Sequence, residues 1–154
     1  MRIPAQTEPG HVELPQAKVD AYQASLDKAL AQVVGTSSTP LDSRRNVVRG
    51  AESTMGDLIA DAMRWATGAD IAIMNGGGIR ADKTYDAGVA LTRRDVMTEL
   101  PFGNITMETE LPGSQILLAL ENGVSQVDKG AGRFPQVSGL TLSLIHISEP
   151  TRPS

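Results

Sequence analysis

The stretch Ile71-Ala72-Ile73-Met74-Asn75-Gly76-Gly77-Gly78-Ile79-Arg80 carries the fold class of this chain. Four apolar residues in a row read as a short, buried β-strand, and they break abruptly into three glycines. Immediately upstream, Leu58, Ile59, Ala62, Met63 and Ala66 recur at helical spacing. Thr54 and Asp57 form a capping-box-like start and Gly68 a stop. A helix over about Met55 to Ala66 therefore leads into the strand, and the strand into a glycine loop.

Helices and strands go on alternating outward from this unit. Upstream, Val19, Tyr22, Leu26, Ala29, Leu30 and Val33 mark one face of a helix opened by Pro15 and stopped by Gly35. Thr36 to Arg45 reads as a polar connector, and Asn46 to Arg49 as a short strand or extended turn. Downstream, Thr92 and Asp95 cap a helix that ends before Pro101. Ile105 to Leu111 alternates strictly, as a strand with one wet face does. Gln115 to Val127 is expected to be helical with Ile116, Leu117, Leu120 and Val124 inward, and Val137 to Thr141 to start another strand. The class is α/β or α+β, a layered sandwich of helices and mixed sheet.

Composition narrows the chemistry. The 154 residues carry a net charge of −4, with no electrostatic footprint for nucleic acid or an anionic membrane. The absence of cysteine excludes disulfide scaffolds, iron–sulfur clusters, thiolate zinc sites and a cysteine nucleophile. The histidines, His11 and His146, are too few and too far apart for a multi-histidine metal centre. No apolar run is long enough to span a bilayer, and the N-terminus has no signal-peptide core. Residues 1–15, with three prolines and Gly10, have the composition of a linker.

The end of the chain reads differently. Leu142 to Arg152 matches the in-frame translation of a transposase mosaic-end adapter over eleven residues; the alternative is a native strand followed by a Pro-rich tail. Residues 142–154 are therefore set aside, and the native domain is expected to continue beyond Thr141.

Several positions carry candidate chemistry. The glycines of Asn75 to Arg80 either let a ligand or another chain segment approach the backbone, or form only a sharp strand exit. No Gly-Lys-Ser/Thr follows, so this is not a Walker A loop, and the spacing is wrong for a dinucleotide fingerprint. On residue type and place alone, Arg49 reads as a solvated surface arginine and Phe102, in a turn, as a core plug. Asp57 and Asp61 lie four apart on one helix, but a solvated helix face with a favourable N-terminal charge explains them better than a metal pair. The same helix-start reading covers Glu52.

Four ordered segments together resemble the C-terminal domain of the 5′-nucleotidase family. They are Arg49 to Met63, Gly68 to Arg80, Leu100-Pro101-Phe102-Gly103-Asn104, and Gly132 to Gly139. The resemblance spans about residues 16–141 and makes residues 1–35 a linker and long interdomain helix. It implies a parent enzyme whose N-terminal metallophosphatase domain carries two divalent metals and the catalytic His–Asp pair. It also implies a periplasmic, secreted or cell-surface location for that parent. This chain would then bind the nucleotide substrate, with no catalytic residue and no metal or other cofactor of its own. Arg49, Asn75, Arg80, Phe102 and Asn104 fall on the family's substrate-binding positions, with Gly76, Gly77 and Gly78 as the loop between them. Phe102 would be one of two phenylalanines that sandwich the base; the second lies in a later motif that this chain lacks. Phe134 belongs to a structural Arg-Phe-Pro-Gln motif. Two other readings remain open: a stand-alone nucleoside-binding module, and a purely structural α/β domain.

Overall fold

The computed structural model describes residues 15–144. Most of the expected N-terminal linker and most of the adapter-like tail, including His11 and His146, lie outside the described residues.

Five helices and six short strands follow one another: α1 (Gln16–Leu30), β1 (Val33–Thr36), β2 (Leu41–Asp42), α2 (Arg45–Val48), α3 (Thr54–Thr67), β3 (Ala72–Asn75), β4 (Thr84–Tyr85), β5 (Ala90–Thr92), α4 (Arg93–Glu99), α5 (Gly113–Val124) and β6 (Pro135–Ser138). Tight 3₁₀ turns follow β3, at Gly76–Gly78, and α5, at Val127–Lys129. The strands pair antiparallel in three ribbons, β1 with β5, β2 with β4 and β3 with β6. The β3–β6 register runs from Ala72 opposite Ser138 to Asn75 opposite Pro135.

The core is Leu41, Val48, Met55, Ile79, Tyr85 and Leu91, with Ile59 and Met74 packed against it. It sits where α2, the start of α3 and the exit of the glycine loop converge. Gln136 of β6 is only 1% exposed and locks this junction. Its Oε1 accepts from the Ser53 N–H at 3.0 Å, and its Nε2 donates to the carbonyls of Val48 at 3.1 Å and Ala51 at 2.8 Å. A buried amide with its donors and acceptor satisfied specifies one arrangement of the segments it joins. Phe134, 3% exposed, is the buried structural residue expected of its motif.

Several elements depart from the sequence pattern. Gly35 does not stop the first helix; α1 ends at Leu30 and Val33–Thr36 is a strand. None of α1 is buried, so Val19, Tyr22 and Leu26 stay exposed. The α1 helix is tied to α4 by an ion pair between Asp27 and Arg94 at 2.6 Å. Asn46 to Arg49 is neither strand nor extended: Arg45–Val48 forms one helical turn. The α3 helix is capped by Ser53, whose side chain accepts from the Gly56 N–H, and not by Thr54. Its buried residues are Met55, Gly56 and Ala60, while Leu58, Ala62 and Ala66 face out. In α5 Leu120 and Gly123 are buried and Leu117 is exposed. Ile105 to Leu111 forms no strand.

Candidate functional site

The glycine loop is built by close approach and not by unusual backbone angles. Gly76, Gly77 and Gly78 are absent from the residues with positive φ. A Cβ on Gly76 would collide with the Val48 carbonyl, and one on Gly77 would come within 2.9 Å of Gly132. The Gly76 and Gly77 N–H groups donate at 2.7 Å to the carbonyls of Phe134 and Gly132, continuing the β3–β6 ladder. These two amides are already used and form no phosphate cradle. What the loop does instead is bring α2 and the 130–132 segment against Asn75.

Arg49 and Asn75 meet at that segment. Arg49 Nη1 donates to the Gly130 carbonyl at 3.5 Å, and Asn75 Nδ2 to the Gly132 carbonyl at 3.4 Å. The Nε of Arg49 is buried without a hydrogen-bond partner among the described residues. Burial, together with the charges of Arg45 and Arg80, lowers the Arg49 guanidinium from its ordinary value. Arg45 and Arg80 are thus close enough for their charges to act on Arg49, which keeps an unpartnered N–H.

A cavity of about 380 Å³ opens beside them, lined by Arg45, Asn46, Arg49, Asp82, Lys129 and Gly130. Three cations against one carboxylate leave it net positive. Arg80 does not line this cavity; its guanidinium lies 5.5 Å from the centroid of the Phe102 ring. That ring is 59% exposed, which a core plug would not be. It stands in the turn where α4 ends, beside Gly103, whose φ of 61° is the left-handed conformation glycine adopts readily. Asn104 is exposed next to it.

The structure thus brings Arg49, Asn75 and the glycine loop together and pairs Arg80 with Phe102. Sequence reasoning missed Arg45, Asp82 and Lys129. Arg45 and Arg49 are four apart, a helical spacing that becomes visible only once Arg45–Val48 is read as a helical turn.

A family model described as 5′-nucleotidase, C-terminal domain, matches residues 33–152. The chain belongs to that family. As a 5′-nucleotidase C-terminal domain it is 40% identical over 144 residues to the trifunctional nucleotide phosphoesterase protein YfkN of Bacillus subtilis (strain 168), covering 90% of this chain and 10% of that one. It is 32% identical over 108 residues to protein UshA of Escherichia coli (strain K12), covering 70% and 19%. Its structure is similar to that of a 5′-nucleotidase precursor from Thermus thermophilus, with a TM-score of 0.70, 43% identity, and coverage of 80% of this chain and 24% of that one. The chain thus spans about a tenth to a quarter of the length of these relatives. Among the described residues no three His, Cys, Asp or Glu side chains are grouped so as to hold a metal ion, and no helix is long and apolar enough to cross a membrane.

Proposed function

We propose that this domain holds the base and sugar-phosphate of a nucleotide, while an N-terminal dimetal domain of the same parent protein hydrolyses the phosphate ester. The observation that carries the reading is the exposed Phe102 ring beside the Arg80 guanidinium, whose charge also acts on Arg49 of the net-positive cavity. A base stacks on an exposed aromatic ring with little regard to its identity. Arginine forks grip phosphate or ribose oxygens through several directed donors. Asn75 and Asn104 supply amides for base edges or hydroxyls. In the parent, two divalent metals would supply the activated water and the charge stabilisation. The side chains here supply binding and orientation, and this chain alone is inactive. The reading places residues 1–15 in an interdomain linker or the end of the metallophosphatase domain, residues 16–141 in the substrate-binding domain, and residues 142–154 outside the native domain, although the family match runs on to residue 152. It also places the parent in the periplasm, in secretions or on the cell surface.

The test belongs in the full-length parent, with AMP and ribose 5-phosphate compared as substrates. Phe102→Ala removes a stacking contact worth roughly 1–3 kcal/mol, present in ground and transition states alike. The KM for AMP should rise about tenfold with kcat changing less, and ribose 5-phosphate should be barely affected. Arg80→Ala should impair both substrates and lower kcat, because its fork orients the ester. Equal loss on both substrates with Phe102→Ala would refute the base platform.

A further inference from the structure

Asp82 is the one described non-glycine residue with a positive φ, 56°. An L residue there carries a conformational cost that glycine would not. The loop is fixed on both sides of it. Arg80 N–H donates to the Glu99 carbonyl at 2.9 Å and Ala81 N–H to Glu99 Oε2 at 3.3 Å. Lys83 N–H donates to Ser43 Oγ at 3.2 Å, and Ser43 N–H to the Lys83 carbonyl at 2.9 Å. Held this way, the Asp82 carboxylate accepts the Arg45 N–H at 2.7 Å.

That bond explains two oddities. One is a non-glycine residue at a position that suits glycine. The other is a carboxylate lining a cavity whose remaining charges, Arg45, Arg49 and Lys129, are all positive. A negative charge there opposes an anion, so its benefit has to lie elsewhere. The α2 helix is a single turn, and one turn does not persist without outside support. The Asp82 carboxylate reaches its first residue from the exit of the glycine loop.

We propose that Asp82 is a positioning residue for the anionic group of the nucleotide, acting through Arg45 and Arg49, whose backbone turn it fixes against the glycine loop. It touches no reacting atom. Its effect is to set two arginines in one register before the ligand arrives, lowering the ordering cost of binding. This inference rests on the proposed nucleotide-binding role.

Two substitutions separate charge from position. Asp82→Asn tolerates positive φ and keeps an oxygen for the Arg45 N–H, but loses the charge. Asp82→Gly suits the backbone, so folding survives, but has no acceptor. Titration calorimetry of the 154-residue chain with AMP and with inorganic phosphate should find Asp82→Asn binding at least as tightly as wild type. Asp82→Gly should bind about fivefold to tenfold more weakly than Asp82→Asn. Hydrogen exchange of the Arg45 to Arg49 amides should accelerate by a similar factor in Asp82→Gly alone. If both variants bind alike and exchange alike, Asp82 acts through charge only and the proposal falls. If wild type binds neither ligand, the nucleotide reading falls. The proposal then falls with it, and the exchange comparison tells the two failures apart: unchanged exchange in Asp82→Gly means that Asp82 does not fix the turn, and faster exchange that it fixes the turn for no nucleotide.

Discussion

Asp57 lies half-buried in the first turn of α3, and its carboxyl is pushed up to about 6 by burial first and then by the charges of Glu52 and Asp61. A raised carboxyl favours the folded state while it is protonated. That contribution is complete below the unfolded value near 4 and disappears as pH rises through about 6. Asp57→Asn should therefore stabilise the chain above pH 7 by about 1 kcal/mol, a figure kept small because solvent screens a half-buried group. The gain should vanish below pH 4. Urea denaturation of both proteins at pH 4 and pH 8 measures this, and an equal effect at both values would refute it. Asp95 behaves in the opposite sense. Its hydrogen bonds to Thr92, with help from Lys83, hold its carboxyl down near 2, so its contribution is present above pH 4 and is lost below.

Elements whose signals are local were legible in the sequence. Thr92 and Asp95 form the reciprocal capping box their spacing announces, and Gly68 ends α3 with a φ of 74°. Elements whose state depends on distant partners were not. Val47 and Val48 are β-branched and read as extended. They form a helical turn because Asp42 and Asp82 fix its start and the core takes Val48. The net-positive cavity was hidden with them, since Arg45 and Asp82 are 37 residues apart and meet only through the fold. The glycine loop was legible only as one of two alternatives, a close approach or a sharp strand exit, and what approaches it is Val48 and Gly132, which no local pattern names. Gln136 is the element-scale test of this junction. Gln136→Ala leaves the Ser53 N–H and the carbonyls of Val48 and Ala51 unpaired in a buried setting, and should cost about 3 kcal/mol. Gln136→Glu should fail to rescue it, because a carboxylate can accept from Ser53 but cannot donate to two carbonyls. Denaturation midpoints decide this, and wild-type stability in either variant would count against the lock.

At the scale of the whole molecule, the main imbalance is apolar surface. Ile105 is 88% and Met107 87% exposed, with Leu111, Leu117 and Leu118 each more than half exposed nearby in sequence. The alternation of Ile105 to Leu111 is a strand pattern, yet the segment pairs with no described strand. A strand needs a partner for its backbone groups as much as it needs the right residues, and an extended apolar segment with free edges recruits one. Each such side chain buried in an association contributes on the order of 1.5–3 kcal/mol. The 154-residue chain should therefore self-associate with rising concentration, and light scattering on a sizing column should record the growing mass. Ile105→Lys combined with Met107→Lys should shift that association to at least about tenfold higher concentration while leaving the fold intact. These side chains pack on nothing, so the melting temperature of the monomer should be unchanged. A wild-type chain that stays monomeric across the same range and melts in one sharp transition would mean that this surface is inert, and that the segment is stable without a partner.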